Sequence, residues 1–174
     1  FSVMVFLQAS AFAAQEKNAI LYLHFQSDKE LRFTLKADAQ ALLDIKTFPQ
    51  KPAEEEIADK KTSDFKNKIK HILLLDDNSN CALKTSDVAL EHFGSRQRHL
   101  KPTLNVVVHG KFVCPQSLED KQLGIAWGKA STGLENVLVQ LFNAGKREAK
   151  ILLTKDAKII LHPPNQIVFA PPAD

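Results

Sequence analysis

Residues 103–114, TLNVVVHGKFVC, alternate more cleanly than any other stretch of the chain. Leu104, Val106, Val108, Gly110, Phe112 and Cys114 share one parity, and Asn105, His109 and Lys111 share the other. That pattern is a β-strand with one face on a core and one in water. Such a strand needs partners, and the flanking sequence supplies them. Residues 19–37, AILYLHFQSDKELRFTLKA, read as two strands around a turn at Ser27 and Asp28, with Leu31, Phe33 and Leu35 alternating. In the first of these, Leu21, Leu23 and Phe25 share a parity and His24 takes the outward one.

Helical character appears at KADAQALLDI (36–45) and at PAEEEIADKKTSDFKNKIK (52–70). The second has Pro52 near its first turn, Glu54, Glu55 and Glu56 toward its start, and Lys66, Lys68 and Lys70 toward its end, a charge order that complements the helix dipole. HILLLDD (71–77) then reads as a strand, followed by a turn at DDNSN and by CALKT. From Asp87 to Pro102 no period holds, so this stretch reads as a long irregular loop of the functional kind. After Cys114 the sequence predicts a helical stretch containing Trp127. NVLVQLF and EAKILLT then pair around Asn143 to Lys146, AKIILH (157–162) forms a short strand, and the closing PPNQIVFAPPAD (163–174) supplies an extended proline-rich tail over 165–174. The fold class expected is α+β: an antiparallel β-sheet with helices packed on one face, its elements grouped as two crude ββαβ-like halves in a single domain over 14–164.

The opening FSVMVFLQASAFAAQ couples an apolar run to Ala11, Phe12 and Ala13, the small-x-small pattern of a signal-peptidase site. Residues 1–13 are therefore expected to be an export signal truncated at its start, and the remainder a soluble periplasmic protein at most peripheral to the membrane. The 23 Lys and Arg against 20 Asp and Glu give a net charge of only +3, short of the basic field that nucleic acid binding needs.

Cys81 and Cys114 both take core-facing parity. In an oxidising compartment a disulfide is the favoured reading, ahead of a redox centre, for which no C-x-x-C spacing exists, and of half a zinc site. Closing that loop stabilises a fold by about 4 kcal/mol. His92 and His99 lie in the irregular loop beside Glu91, and His109 projects from the polar face of the strand that the loop feeds; imidazole and carboxylate groups of this kind suit zinc or copper. His24, His71 and His162 earn no role from pattern. Catalytic signatures are missing. GIAWGKAS is one residue short of a phosphate-binding loop and has Ala130 at the magnesium-ligand position. No G-x-S-x-G or H-E-x-x-H occurs, and Ser117 before Asp120 reads as a helix start. The expectation is a non-enzymatic protein.

The layout resembles the ZrgA-type zinc-uptake proteins of Gram-negative bacteria. The resemblance rests on ELRFTLKADAQALLDIK, CALKTSDVAL, the loop with His92 and His99, LNVVVHGKFVCPQSL and the closing LENVLVQLFNAGKREAKILLTKDAKIIL, and it spans about Asn18 to His162. It implies zinc binding or delivery, with a metal transporter or another periplasmic protein as partner. Family members carry an H-x-H-G element at the mature N-terminus, a histidine after the first helix and a histidine-rich loop. This chain has EKNAILYL, LLDIKTFPQK and two histidines at those places, which leaves Glu91, His92, His99 and His109 as candidate ligands. The alternative is a periplasmic protein-interaction module with no metal function.

Overall fold

The computed structural model describes residues 18–75, 80–93, 103–126, 134, 136–154 and 157–170. The expected export signal, His99 and the stretch around Trp127 lie outside the described residues.

Two helices and ten strands are present among the described residues. In chain order they are β1 (Asn18–Phe25), β2 (Glu30–Asp38), α1 (Ala39–Leu43), α2 (Pro52–Ile72), β3 (Leu73–Leu75), β4 (Ala82–Phe93), β5 (Thr103–Val113), β6 (Gln122–Ile125), β7 (Asn136–Asn143), β8 (Lys146–Thr154), β9 (Lys158–His162) and β10 (Gln166–Phe169). Six strands form one sheet in the order β4-β5-β2-β1-β7-β8, and four form a second in the order β10-β9-β6-β3. Each neighbouring pair is antiparallel except β1 and β7, which run parallel from Asn18↔Asn136 to Leu23↔Leu141.

The α+β plan of one antiparallel sheet with helices on one face is thereby corrected. The second sheet carries its own inward apolar residues, Leu123, Ile125, Ile159, Leu161 and Ile167, and these join Leu21, Leu35, Val108 and Val139 of the first sheet in one buried cluster. A sheet with an apolar face must bury it, and here much of the cover is another sheet. Helix α2 instead runs alongside the edge strand β4, with Ala58 and Thr62 across a small cleft from Val88 and Leu90. The picture of two repeated halves fails for a related reason: the halves exchange strands. β7 and β8 complete the sheet begun by β1 and β2, while β3 joins β6, β9 and β10.

Local chemistry explains the elements. Asp38 caps α1, its Oδ1 accepting from the Ala41 N–H at 2.8 Å, and Asp44 closes the helix in a left-handed conformation. Pro52 opens α2, Glu54 and Glu55 occupy its first turn and Lys70 and His71 its last, so the dipole reading of the charges holds. His71 and Ile72 stay helical, and the strand expected from residue 71 begins at Leu73. β7 and β8 turn through Ala144 and Gly145, both at positive φ, as a two-residue hairpin requires. The segment read as a tail contributes β10, with Ile167 buried.

β5 is the strand that the alternation predicted. Its inward residues Leu104, Val106, Val108 and Phe112 are buried, and Cys114 beyond its end is bonded to Cys81. At Gly110 a Cβ would stand 2.5 Å from the Phe33 ring and 2.8 Å from the Lys84 carbonyl oxygen, so only glycine admits this approach of β2 and β4. The stretch read as irregular from Asp87 is strand as far as Phe93. Its register with β5 shifts between Thr85 and Asp87, leaving Ser86 as an extra residue. This β-bulge inverts the parity of the inward residues, from Cys81 and Leu83 to Val88 and Leu90, and so hides the alternation.

Candidate metal centre

Of the donors singled out from the sequence, the three among the described residues, Glu91, His92 and His109, do not converge. Glu91 lies opposite Asn105 and His109 opposite Asp87, on the outer face of the large sheet. Four residues of strand separate the two, about 13 Å. His92 pairs with Leu104 and so takes the other face, where its ring lies 5.1 Å from that of Phe48. His109 Nδ1 is 2.9 Å from Thr34 Oγ1.

A different set of donors meets at one end of the small sheet. The segment after Cys114 is pinned to the β1–β2 turn, the Cys114 N–H donating to the Lys29 carbonyl at 2.9 Å and the Leu118 N–H to that of Asp28 at 2.6 Å. Leu118 is fully buried and anchors the segment. Ser117 Oγ accepts from the Glu119 N–H at 3.1 Å, so the residue read as a helix start shapes a turn instead. Asp120 is left-handed, at φ 60°, and its N–H donates to the Leu161 carbonyl at 3.0 Å. The Leu161 N–H returns a bond to the Lys121 carbonyl at 2.9 Å. This reciprocal pair holds the end of β9 against the turn. Ile159 and Leu161 point inward, so His162 takes the outward parity, over the two carboxylates.

His162 Nδ1 lies 2.6 Å from Glu119 Oε1 and 3.4 Å from Asp120 Oδ1. One donor atom from each of the three residues lies within 4.8 Å of the others, and no other such group of three or more occurs among the described residues. The His162 side chain is 27% exposed, against 49% for Glu119 and 79% for Asp120. The imidazole is thus fixed and the carboxylates can adjust. Zinc takes nitrogen and oxygen ligands at about 2.0–2.2 Å, which places tetrahedral neighbours about 3.4 Å apart. The Asp120 spacing already matches. Glu119 must retreat by less than about 1 Å, exchanging its short hydrogen bond for a metal bond. One imidazole and two carboxylates suit a divalent cation of borderline hardness and leave a position open to water or a fourth donor.

Sequence reasoning missed this corner because no local spacing joins residue 162 to residues 119 and 120. The alternation of AKIILH, which turns His162 outward, was its one visible signal.

The molecule is, then, a two-sheet protein stapled by a disulfide, with an exposed imidazole–dicarboxylate corner at the mouth of the smaller sheet. The chain belongs to the ZrgA family: the family model described as ZrgA family zinc uptake protein matches residues 18–161. The match includes Glu119 and Asp120 and stops one residue short of His162. No individually curated protein matches the chain. No helix among the described residues is long and apolar enough to cross a membrane.

Proposed function

We propose that this chain is a non-enzymatic periplasmic zinc-handling protein that takes the ion as cargo at Glu119, Asp120 and His162 and passes it to a metal transporter or another periplasmic protein. The observation that carries the reading is the convergence of those three donors within 4.8 Å in a member of a zinc uptake family. Three protein donors at a surface corner make an exchangeable site, and exchange is what a carrier needs.

Calorimetric titration of zinc into the oxidised protein tests the proposal, beside Glu119→Gln/His162→Ala and, separately, His92→Ala/His99→Ala/His109→Ala. Binding that disappears in the first variant and survives in the second is the expected result. Loss only in the second variant moves the cargo site to the β4–β5 region. No heat in the parent removes direct zinc binding and turns the search to a protein partner.

A further inference from the structure

The outer face of the large sheet holds like charges in register. Lys84 on β4 lies directly opposite Lys111 on β5, and Lys111 opposite Arg32 on β2. Neighbouring strands are about 4.8 Å apart, and like charges placed directly opposite destabilise a sheet. His24 continues the row on β1. Relief is partial. Glu30 Oε1 lies 3.0 Å from Lys111 Nζ and 3.8 Å from Arg32 Nε, so one carboxylate serves two cations. Lys84 is exposed and has no carboxylate partner among the described residues. Three cations against one carboxylate leave the row at +2.

Beside this row lies an open cleft of about 460 Å³, lined by Arg32, Thr34, Lys84, Ser86, His109 and Lys111 among others, with no carboxylate in its lining. Its floor is fixed. The bulge residue Ser86 donates through Oγ to the His109 carbonyl at 3.0 Å, and the His109 ring is held by Thr34. Gly110, beneath, lets the strands close up without a side chain between them. β-Bulges re-aim side chains at sites of this kind.

We infer that this cleft binds a small oxyanion carrying two or more negative charges, a phosphate or a di- or tricarboxylate. The ligand supplies the countercharge that the row lacks: the Arg32 guanidinium offers a planar fork of donors, the two lysines act as point charges, and the hydroxyls and imidazole complete the hydrogen bonds. The site shares no residue with the metal corner, so the inference stands independently of zinc binding.

The test uses oxidised protein stripped of metal on a chelating resin, because a soluble chelator such as EDTA is itself a polyvalent oxyanion. Thermal unfolding and calorimetry are followed with inorganic phosphate and with citrate, each against sodium chloride of equal ionic strength. At ten times its Kd either anion is expected to raise Tm by about 4 °C over the chloride control. Arg32→Gln/Lys84→Gln should weaken binding at least tenfold. Lys84→Glu should raise Tm in chloride, by neutralising the row, and abolish the response to anion. A response to phosphate alone identifies a tetrahedral ligand, to citrate alone a carboxylate, and to both the shared oxyanion chemistry. The Glu119→Gln/His162→Ala variant keeps the response. Shifts matched by chloride, or persisting unchanged in Lys84→Glu, overturn the inference.

Discussion

The two polar regions of this molecule are built in opposite ways. The cation row on the large sheet follows from strand register alone: once β2, β4 and β5 pair with their apolar residues on one face, Arg32, Lys84 and Lys111 must meet on the other. The Glu119–Asp120–His162 corner depends on a left-handed residue, a pinned turn and the reciprocal bonds of Leu161. One site is written in the sheet and the other in the loops that close it. Sheet-borne groups are hard to displace without unfolding, whereas loop-borne groups can exchange a hydrogen bond for a ligand, as the cargo site proposed above requires.

The largest expected effect breaks both regions together. The disulfide joins the start of β4 to the end of β5, immediately before the turn that carries Glu119. Replacing Cys81 and Cys114 by alanine should destabilise the protein by about 4 kcal/mol in the chain-entropy model, read as a lower Tm and a lower denaturant midpoint. A change under about 1 kcal/mol would mean that the unfolded chain already keeps these strands together.

Gly110→Ala comes next and strikes the sheet-borne region. The added methyl meets the Phe33 ring and the Lys84 carbonyl, and overpacking of this kind destabilises by about 1–3 kcal/mol. Denaturant unfolding measures the loss, and a neutral outcome would show that the strands can part there. His162→Gln in the metal-free protein should change stability by less than about 1 kcal/mol, because its carboxylate partners are exposed. A larger loss would make the corner a structural staple.

The smallest effect concerns Tyr22, the only tyrosine of the chain. Half-buried on the outer face of β1, its phenol is held above the ordinary value of 10.0 by desolvation. Folding therefore favours the protonated phenol. That contribution is fully present below pH 10 and is lost as pH rises through the folded value. Ultraviolet titration should show phenolate appearing later in the native protein than in denaturant, and coincident curves would place the ring in water.

Much of the fold could be read from side-chain parity. β1, β2, β5, the β7–β8 hairpin and both helices follow from alternation, capping and charge order, and so does the pairing of Cys81 with Cys114. Parity says which residues face a core but not what covers them, so the second sheet went unseen: β3 and β9 read as strands with no sheet to join, and β6 and β10, four residues each, are too short for a period to declare itself. β4 was lost beyond Thr85 because the Ser86 bulge inverts its parity. The Glu119–Asp120–His162 corner was illegible for a third reason. Its residues are gathered by backbone bonds between Asp120, Lys121 and Leu161, and contacts between distant segments leave no mark in local spacing.

The parallel pairing of β1 with β7 has a consequence for how the chain must be made. β1 finds its first neighbour, β2, within a few residues, but its other edge stays open until Asn136–Asn143 has been synthesised, 118 residues after Asn18. A chain emerging N-terminus first therefore presents a hairpin with an apolar face and an unpaired backbone edge through most of its production, the condition in which strands pair with strangers. Closing that seam joins segments 118 residues apart, so removing β7 and β8 by truncation should leave an aggregating sheet and not a smaller folded protein.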